Sequence, residues 1–120
     1  MLWDFTCPDT LAASHIQDTS AQACAAAISA EQYNATKYAA FSPSYEVVPV
    51  AIETLGAWGP SAWEFVCSLG RRLVAATGDS RAGAFLRQRL SIAVQRGNAA
   101  AVRGTQTHLA PPPLLKTRCP

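Results

Sequence analysis

Two short segments of the sequence have the pattern of a buried β-strand, and helical sequence separates them. Residues 2–7 (LWDFTC) alternate between two faces, and residues 45–56 (YEVVPVAIETLG) are rich in β-branched side chains. The predicted order is strand, helix, strand, helix, helix, which is an α/β fold. Two strands alone do not make a stable sheet between helices. We therefore expect a larger folding unit, and an unpaired strand edge that favours self-association.

Helical sequence follows each predicted strand. An alanine-rich segment over residues 21–41, with Ser20 as its cap, predicts the first helix, and residues 9–20 are expected to form a turn and connection. Two further helices are predicted on either side of Gly78, because glycine commonly ends a helix. The first of these starts at Pro60, since proline suits the first helical position.

The helical and strand patterns divide the chain into a partial domain over residues 1–103 and a tail over residues 104–120. The tail has three consecutive prolines and no periodicity, so we expect it to be disordered or extended. Pro49 removes one backbone donor from the second strand. That strand is therefore expected at a sheet edge or at a bulge.

Composition excludes a few classes of protein. No stretch approaches about 20 uninterrupted apolar residues, so no membrane span is predicted. No basic start precedes an apolar run, so no secretory signal is predicted. The cysteines Cys7, Cys24, Cys67 and Cys119 form no CxxC pair, and we expect reduced thiols without disulfide partners in an intracellular protein. A zinc site built from Cys7, His15 and Cys24 is the alternative.

Charge is divided unequally along the chain. Residues 1–70 hold seven acidic residues and one basic residue, whereas residues 71–120 hold nine basic residues and one acidic residue. Such asymmetry has two common explanations: the two parts pair with each other, or the basic part faces a polyanion. The sequence leaves both open.

Arginines recur every seven residues in the last predicted helix, so they lie along one helical line. Arg89 lies beside the predicted apolar face and is expected to be half-buried and paired, to Glu53 or to Asp4. For Glu53, which ends an apolar strand, we favour such a structural ion pair over a metal-binding role. The arginines expected to contact nucleic-acid phosphates are Arg71, Arg72, Arg96 and Arg103.

A carboxylate in the centre of the first strand needs an explanation. Trp3, Phe5 and Cys7 share one face and are expected in the core, whereas Asp4 points to the other face. An unpaired carboxylate beside a core is costly, so Asp4 requires a cation, a metal or access to water. An ion pair with an arginine of the last helix is one solution.

A direct match to a PD…(D/E)xK nuclease motif fails. Asp9 follows a proline, and Glu53 would be the second acid, but the two lie 44 residues apart. Leu55 stands where that motif requires a lysine. The proline and Asp9 therefore predict a strand end and a turn.

Five segments, in order and at natural spacing, resemble the C-terminal region of reverse-transcriptase proteins from non-LTR-type retroelements of animals. They are LWDFTCPDTLAASHI, KY, VVPVAIETLG, LGRRL and FLRQRLSIAVQRGNAA. The resemblance covers about residues 2–101. It implies a restriction-endonuclease-like domain with a PD-(D/E)xK-like core that nicks DNA using Mg²⁺. Carried over by the resemblance, Asp4 is the second metal-binding carboxylate, and Lys37 is a catalytic lysine that has moved onto the following helix.

The sequence departs from that family at one point, because no RPD motif precedes Asp4. We therefore expect an incomplete core that lacks the first strand and the first carboxylate on its N-terminal side, with Met1 as an internal methionine or the edge of a fragment. The chain alone is then expected not to bind Mg²⁺ or cut DNA. Within an active retroelement protein it would be nuclear. The alternatives are a non-catalytic module whose basic C-terminal helices bind nucleic acid or protein, and a fragment that folds only partly.

Overall fold

The computed structural model describes residues 1–41 and 43–106. In those residues two strands, four α-helices and one 3₁₀ turn follow each other along the chain. They are β1 (Leu2–Thr6), α1 (Ile16–Ala21), α2 (Ala25–Lys37), the 3₁₀ turn (Ala39–Phe41), β2 (Val47–Ala51), α3 (Pro60–Thr77) and α4 (Ala82–Gln106). The mixed α/β class is confirmed. The predicted boundary at residue 103 falls inside α4, and residues 107–120 of the predicted tail lie outside the described residues.

The two strands run parallel, with Leu2 opposite Val47 and Thr6 opposite Ala51. The Leu2 N–H donates to Glu46 O at 2.7 Å, and the Ile52 N–H donates to Thr6 O at 3.1 Å. The even-numbered residues of β2 therefore bond to β1, and Pro49 lacks its N–H on the opposite side. This places the proline at an open sheet edge, as predicted, where it discourages a third strand.

The core is built mainly from small side chains. α2 and α3 pack against β2, and α4 packs against α3. The buried apolar residues are Ala26, Ala27, Val50, Ala51, Ile52, Ala62, Val66 and Val94. α3 and α4 approach so closely at Gly70 that a Cβ there would lie 3.0 Å from the Cα of Gly83. Small residues at these positions let the backbones of strands and helices come near to each other.

The two faces of the sheet carry different helices. Thr6 of β1 is hydrogen-bonded to Asn34 of α2, while Phe5 lines a cavity with residues of α4. Since side chains alternate along a strand, α2 and α4 lie on opposite faces. The prediction that Trp3, Phe5 and Cys7 are buried is wrong, because Trp3 is 64% exposed, Phe5 is 46% exposed and Cys7 is exposed. α3 packs against β2, and α4 packs against α3, so these side chains of β1 are left largely exposed to solvent.

The helix ends agree in part with prediction. Pro60 occupies the start of α3, and Gly78 ends it with a φ of 73°. The Asp79 carboxylate accepts the Arg81 amide at 2.8 Å just before α4. The cap at Ser20 is wrong, because Ser20 lies inside α1, in the region expected to be a turn. α2 instead begins after Cys24, whose φ of 65° is left-handed and unusual for a residue with a side chain.

Two buried glutamates bind the first turns of helices. One carboxylate oxygen of Glu53, which follows β2, accepts the Ala27 amide of α2 at 3.2 Å. The Glu31 carboxylate of α2 accepts the Ser61 amide at 3.0 Å and the Ala62 amide at 2.8 Å, at the start of α3. These amides have no partner within their own helices, and the helix dipole favours a negative group at that end. The Glu53 contact therefore links the end of β2 to α2, and the Glu31 contacts link α2 to α3.

Gly59 leaves the space that the Glu31 carboxylate occupies. A Cβ at this position would collide with Oε1 of Glu31. We predict that Gly59→Ala lowers the free energy of unfolding by about 1–3 kcal/mol, because the carboxylate is displaced from the Ser61 and Ala62 amides. Urea unfolding followed by circular dichroism measures the change.

The matched control is Gly97→Ala, since a Cβ at Gly97 meets no atom within 4 Å. Alanine is the better helix former, so this variant should be unchanged or more stable by up to about 1 kcal/mol. A Gly59→Ala protein as stable as the unmodified chain would show that the Glu31 carboxylate does not need its present position.

Candidate functional site

A polar face lies between β1 and α2. Asn34 is buried, and its Nδ2 donates to Oγ1 of Thr6 at 2.9 Å. Asp4 lies two residues from Thr6 on the same side of the strand, and Lys37 lies one helical turn beyond Asn34. The structure therefore brings the predicted pair Asp4 and Lys37 to one face.

Lys37 ends α2 with an exposed ammonium group. Its Nζ lies 4.8 Å from the centroid of the Tyr38 ring. A side-chain hydrogen bond with Tyr38, followed by the electrostatic interaction with the same side chain, raises the pKa of Lys37, and the negative charge of Asp4 contributes less. A raised pKa keeps the lysine protonated at neutral pH. Lys37 can therefore supply a positive charge at this face but cannot accept a proton there.

Asp4 is the predicted Mg²⁺ ligand that lies at this face. Asp4 is half-buried, and its polar neighbours Thr6 and Asn34 bond to each other. Mg²⁺ requires near-octahedral oxygen coordination, normally from more than one acidic group and several waters. Across residues 1–41 and 43–106, no group of three His, Cys, Asp or Glu side chains is placed to hold a metal. One carboxylate and one lysine do not make the two-acid site that the family resemblance implies.

The three cysteines of the described residues form no disulfide. Cys7, Cys24 and Cys67 carry free thiols, and Cys119 lies outside the described residues. Cys7 is exposed as a residue, but partial desolvation of its thiol, and to a smaller extent the charge of Asp9, raise its pKa. A raised pKa makes this thiol less nucleophilic at neutral pH. Nothing in the described chain assembles Cys7, His15 and Cys24 as a metal site.

The predicted ion pair between Glu53 and Arg89 is not formed. Glu53 is 1% exposed and uses its carboxylate to accept the Ala27 amide, whereas Arg89 is exposed. The inner face of α4 is set by Gly83, Leu90 and Val94, and Arg89 lies well to the side of it. A pair between Asp4 and an arginine of α4 is also wrong, because α4 lies on the other face of the sheet. A helix amide, not a cation, is the partner of the buried Glu53.

The arginines of α3 and α4 are exposed to solvent, apart from Arg87, which is half-buried. The one salt bridge in the described residues joins Arg81 to Asp79 at 3.5 Å, and both belong to the basic part of the sequence. The acidic and basic parts of the chain are therefore not held together by salt bridges there. The exposed arginines that form no ion pair with another described residue are Arg71, Arg72, Arg89, Arg96 and Arg103.

An aromatic group that the sequence did not predict lies between α3 and α4. Trp58 and Trp63 meet edge to face, with ring centroids 6.0 Å apart. The Arg87 guanidinium carbon lies 5.7 Å from the Trp63 ring centroid. Trp63 is 50% exposed. Helical periodicity places Trp63 on an apolar stripe of α3. Periodicity within one helix does not predict how far α3 lies from α4 at Trp63.

Comparisons with protein-family models, curated proteins and solved structures found no match for this chain. Among the helices described, none is both long and apolar enough to cross a membrane. The endonuclease-like resemblance therefore stays a prediction. The function is inferred from the geometry of the exposed side chains.

The single carboxylate of the β1–α2 face predicts that the chain by itself does not cut DNA. Purified protein incubated with supercoiled plasmid and Mg²⁺ or Mn²⁺ should leave the plasmid supercoiled, as judged on agarose gels. Asp4→Ala should behave identically. Nicking by the unmodified chain that disappears in Asp4→Ala would overturn this prediction, and would show that another group completes a metal site with Asp4.

Proposed function

We propose that this chain is a non-catalytic nucleic-acid-binding module that contacts phosphates through arginines of α4, supported by arginines of α3. The observation that carries the proposal is the arginine row of α4, which consists of Arg89, Arg96 and Arg103. All three are exposed, and none forms an ion pair with a described residue. Their charges are therefore available to a polyanion.

The spacing of the arginine row suits an extended phosphate backbone. Seven residues of α-helix rise about 10.5 Å, so the row extends about 21 Å along α4. Successive arginines turn by only about 20° around the helix axis, so they share one side. Arg89, which was expected to be half-buried, joins Arg96 and Arg103 in the proposal because it is exposed. Its role changes from a structural ion pair to a third phosphate contact.

The arginines of α3 extend the positive surface. Arg71 and Arg72 are exposed near the close approach of α3 and α4 at Gly70 and Gly83. Acidic side chains are few in this part of the chain, since Asp79 is the one acid in residues 71–120 and already pairs with Arg81. A polyanion would therefore meet little repulsion along α4, whereas α3 carries one exposed acid, Glu64, near its start.

The salt dependence of binding tests the arginine row. Each phosphate contact that is lost should reduce the slope of log affinity against log salt by roughly 0.9 for duplex DNA. Changing Arg96 and Arg103 to Ala should lower the slope by nearly two, and adding Arg89→Ala should lower it by nearly three. Fluorescence anisotropy of labelled duplex DNA across a salt series gives the slopes.

Arg81→Ala is the matched control, because Arg81 already pairs with Asp79 and should change the slope less than any member of the row. The double and triple row variants should remain folded, since exposed arginines contribute little to stability. Equal slopes for all variants would refute phosphate binding by the row. Unfolding caused by Arg89→Ala would restore a structural role for this residue.

A second candidate is a piece of a Mg²⁺-dependent endonuclease domain of a retroelement reverse transcriptase, inactive by itself. The observation that favours it is the location of Asp4 and Lys37 on one face, because the resemblance assigns them as metal-binding carboxylate and catalytic lysine. The DNA upstream of codon 1 is the direct test. An in-frame strand with an RPD motif would support this candidate and a nuclear location, whereas its absence would reduce the resemblance to ancestry.

A further inference from the structure

A pocket on the flank of α4 has the chemistry to hold a flat, uncharged ring. Its volume is about 480 Å³, within the range of natural ligand pockets. The residues that line it are Trp58, Trp63, Ala84, Arg87, Gln88, Ser91 and Ile92. We name it the tryptophan pocket. It lies on a different side of α4 from the arginine row.

The aromatic wall of the pocket is held in place before any ligand arrives. Trp58 forms an isolated antiparallel β-bridge with Ile52, directly after β2. Trp63 lies in the first turn of α3, and the Glu31 carboxylate binds amides of that same turn. The two indole rings are nearly perpendicular, at 86°, and form a corner. A flat ligand could stack on Trp63 without reorganising the fold.

The remaining lining residues select the charge and polarity of the ligand. Arg87 over the Trp63 ring disfavours a cation, so a quaternary ammonium or methylated lysine does not fit this pocket. Arg87 makes no ion pair with a described residue. The Gln88 and Ser91 side chains are exposed, and neither hydrogen-bonds to another described residue. Amide and hydroxyl groups beside an indole suit the polar edge of a heterocyclic base.

We propose that the tryptophan pocket takes an unpaired nucleobase, stacked on Trp63, with Arg87 facing the phosphate attached to it. The inference rests on the proposed function and deepens it, because it names nucleic acid with a single-stranded segment as the substrate class. Aromatic stacking of this kind is tolerant of sequence. The arginine row then supplies backbone contacts, and the pocket supplies the preference for an unpaired strand.

The test compares a blunt DNA duplex with the same duplex carrying a single-stranded adenine overhang. The overhang should raise the affinity of the full chain about tenfold at fixed salt, the effect of one well-stacked base. A variant with Trp3→Phe and Trp58→Phe leaves Trp63 as the one tryptophan, and its fluorescence should be quenched by the overhang and not by the blunt duplex.

Trp63→Ala should abolish the preference for the overhang while leaving the affinity for the blunt duplex unchanged. Because removal of Trp63 could affect folding, Arg87→Gln is the second variant, and it should weaken the preference in a protein with an unchanged urea midpoint. Trp3→Ala is the matched control, since Trp3 is exposed on β1, away from the pocket.

The outcomes separate this inference from the proposed function. Blunt-duplex binding with no gain from the overhang and no quenching of Trp63 would overturn the pocket and leave the arginine row intact. Quenching of Trp63 by an adenine strand, with no duplex binding, would refute the row and support the pocket. If AMP quenches Trp63 fluorescence with the same affinity as the overhang DNA, the assignment of the pocket to an unpaired strand is overturned, because the pocket would then recognise a free nucleotide.

Discussion

The fold of this chain depends on two carboxylates buried at the starts of helices. Glu53 is 1% exposed and binds the Ala27 amide, and Glu31 is 4% exposed and binds the Ser61 and Ala62 amides. A buried carboxylate without partners is costly, whereas one that accepts helix amides is stabilised by them and by the helix dipole. The glutamates therefore fix where α2 and α3 stand relative to β2.

These polar contacts matter more because the hydrophobic core is small. Ile52 is the largest apolar side chain that is fully buried, and several aromatic residues lie outside the core. The sheet has two strands in the described residues, and β1 leaves Trp3 and Phe5 exposed. Such an arrangement is favourable for surface recognition, since rigid helices present arginine and tryptophan side chains to solvent. The expected tendency to self-associate stays a prediction.

Local signals in the sequence located most of the elements. Proline at residue 60 and glycine at residue 78 marked the limits of α3, and β-branched residues marked β2. Signals that depend on distant contacts were not available. Glu31 is an ordinary helical residue in sequence, and its partners follow about 30 residues later in the chain. The start of α2 was also missed, because Cys24 adopts a left-handed conformation that its residue type does not indicate.

The candidate sites show the same division. The seven-residue spacing was sufficient to predict the arginine row. It did not predict the burial of each arginine, and Arg89 was therefore expected to be half-buried and paired with Glu53. The partner of Glu53 proved to be a backbone amide, and backbone amides leave no mark in the residue sequence. The tryptophan pocket depends on how α3 and α4 separate beyond Gly70 and Gly83, which is a property of packing and not of either helix alone.

The most direct test of the carboxylate account is the urea midpoint of Glu31→Gln against that of Glu64→Gln. Glutamine keeps the volume of Glu31 but loses its charge, and its amide NH₂ meets a helix N–H donor. We predict a loss of about 2 kcal/mol in the free energy of unfolding for Glu31→Gln. Glu64 is exposed on α3, so Glu64→Gln should change it by less than about 0.5 kcal/mol. Equal midpoints for the two variants would contradict the claim that the buried carboxylates hold this fold together.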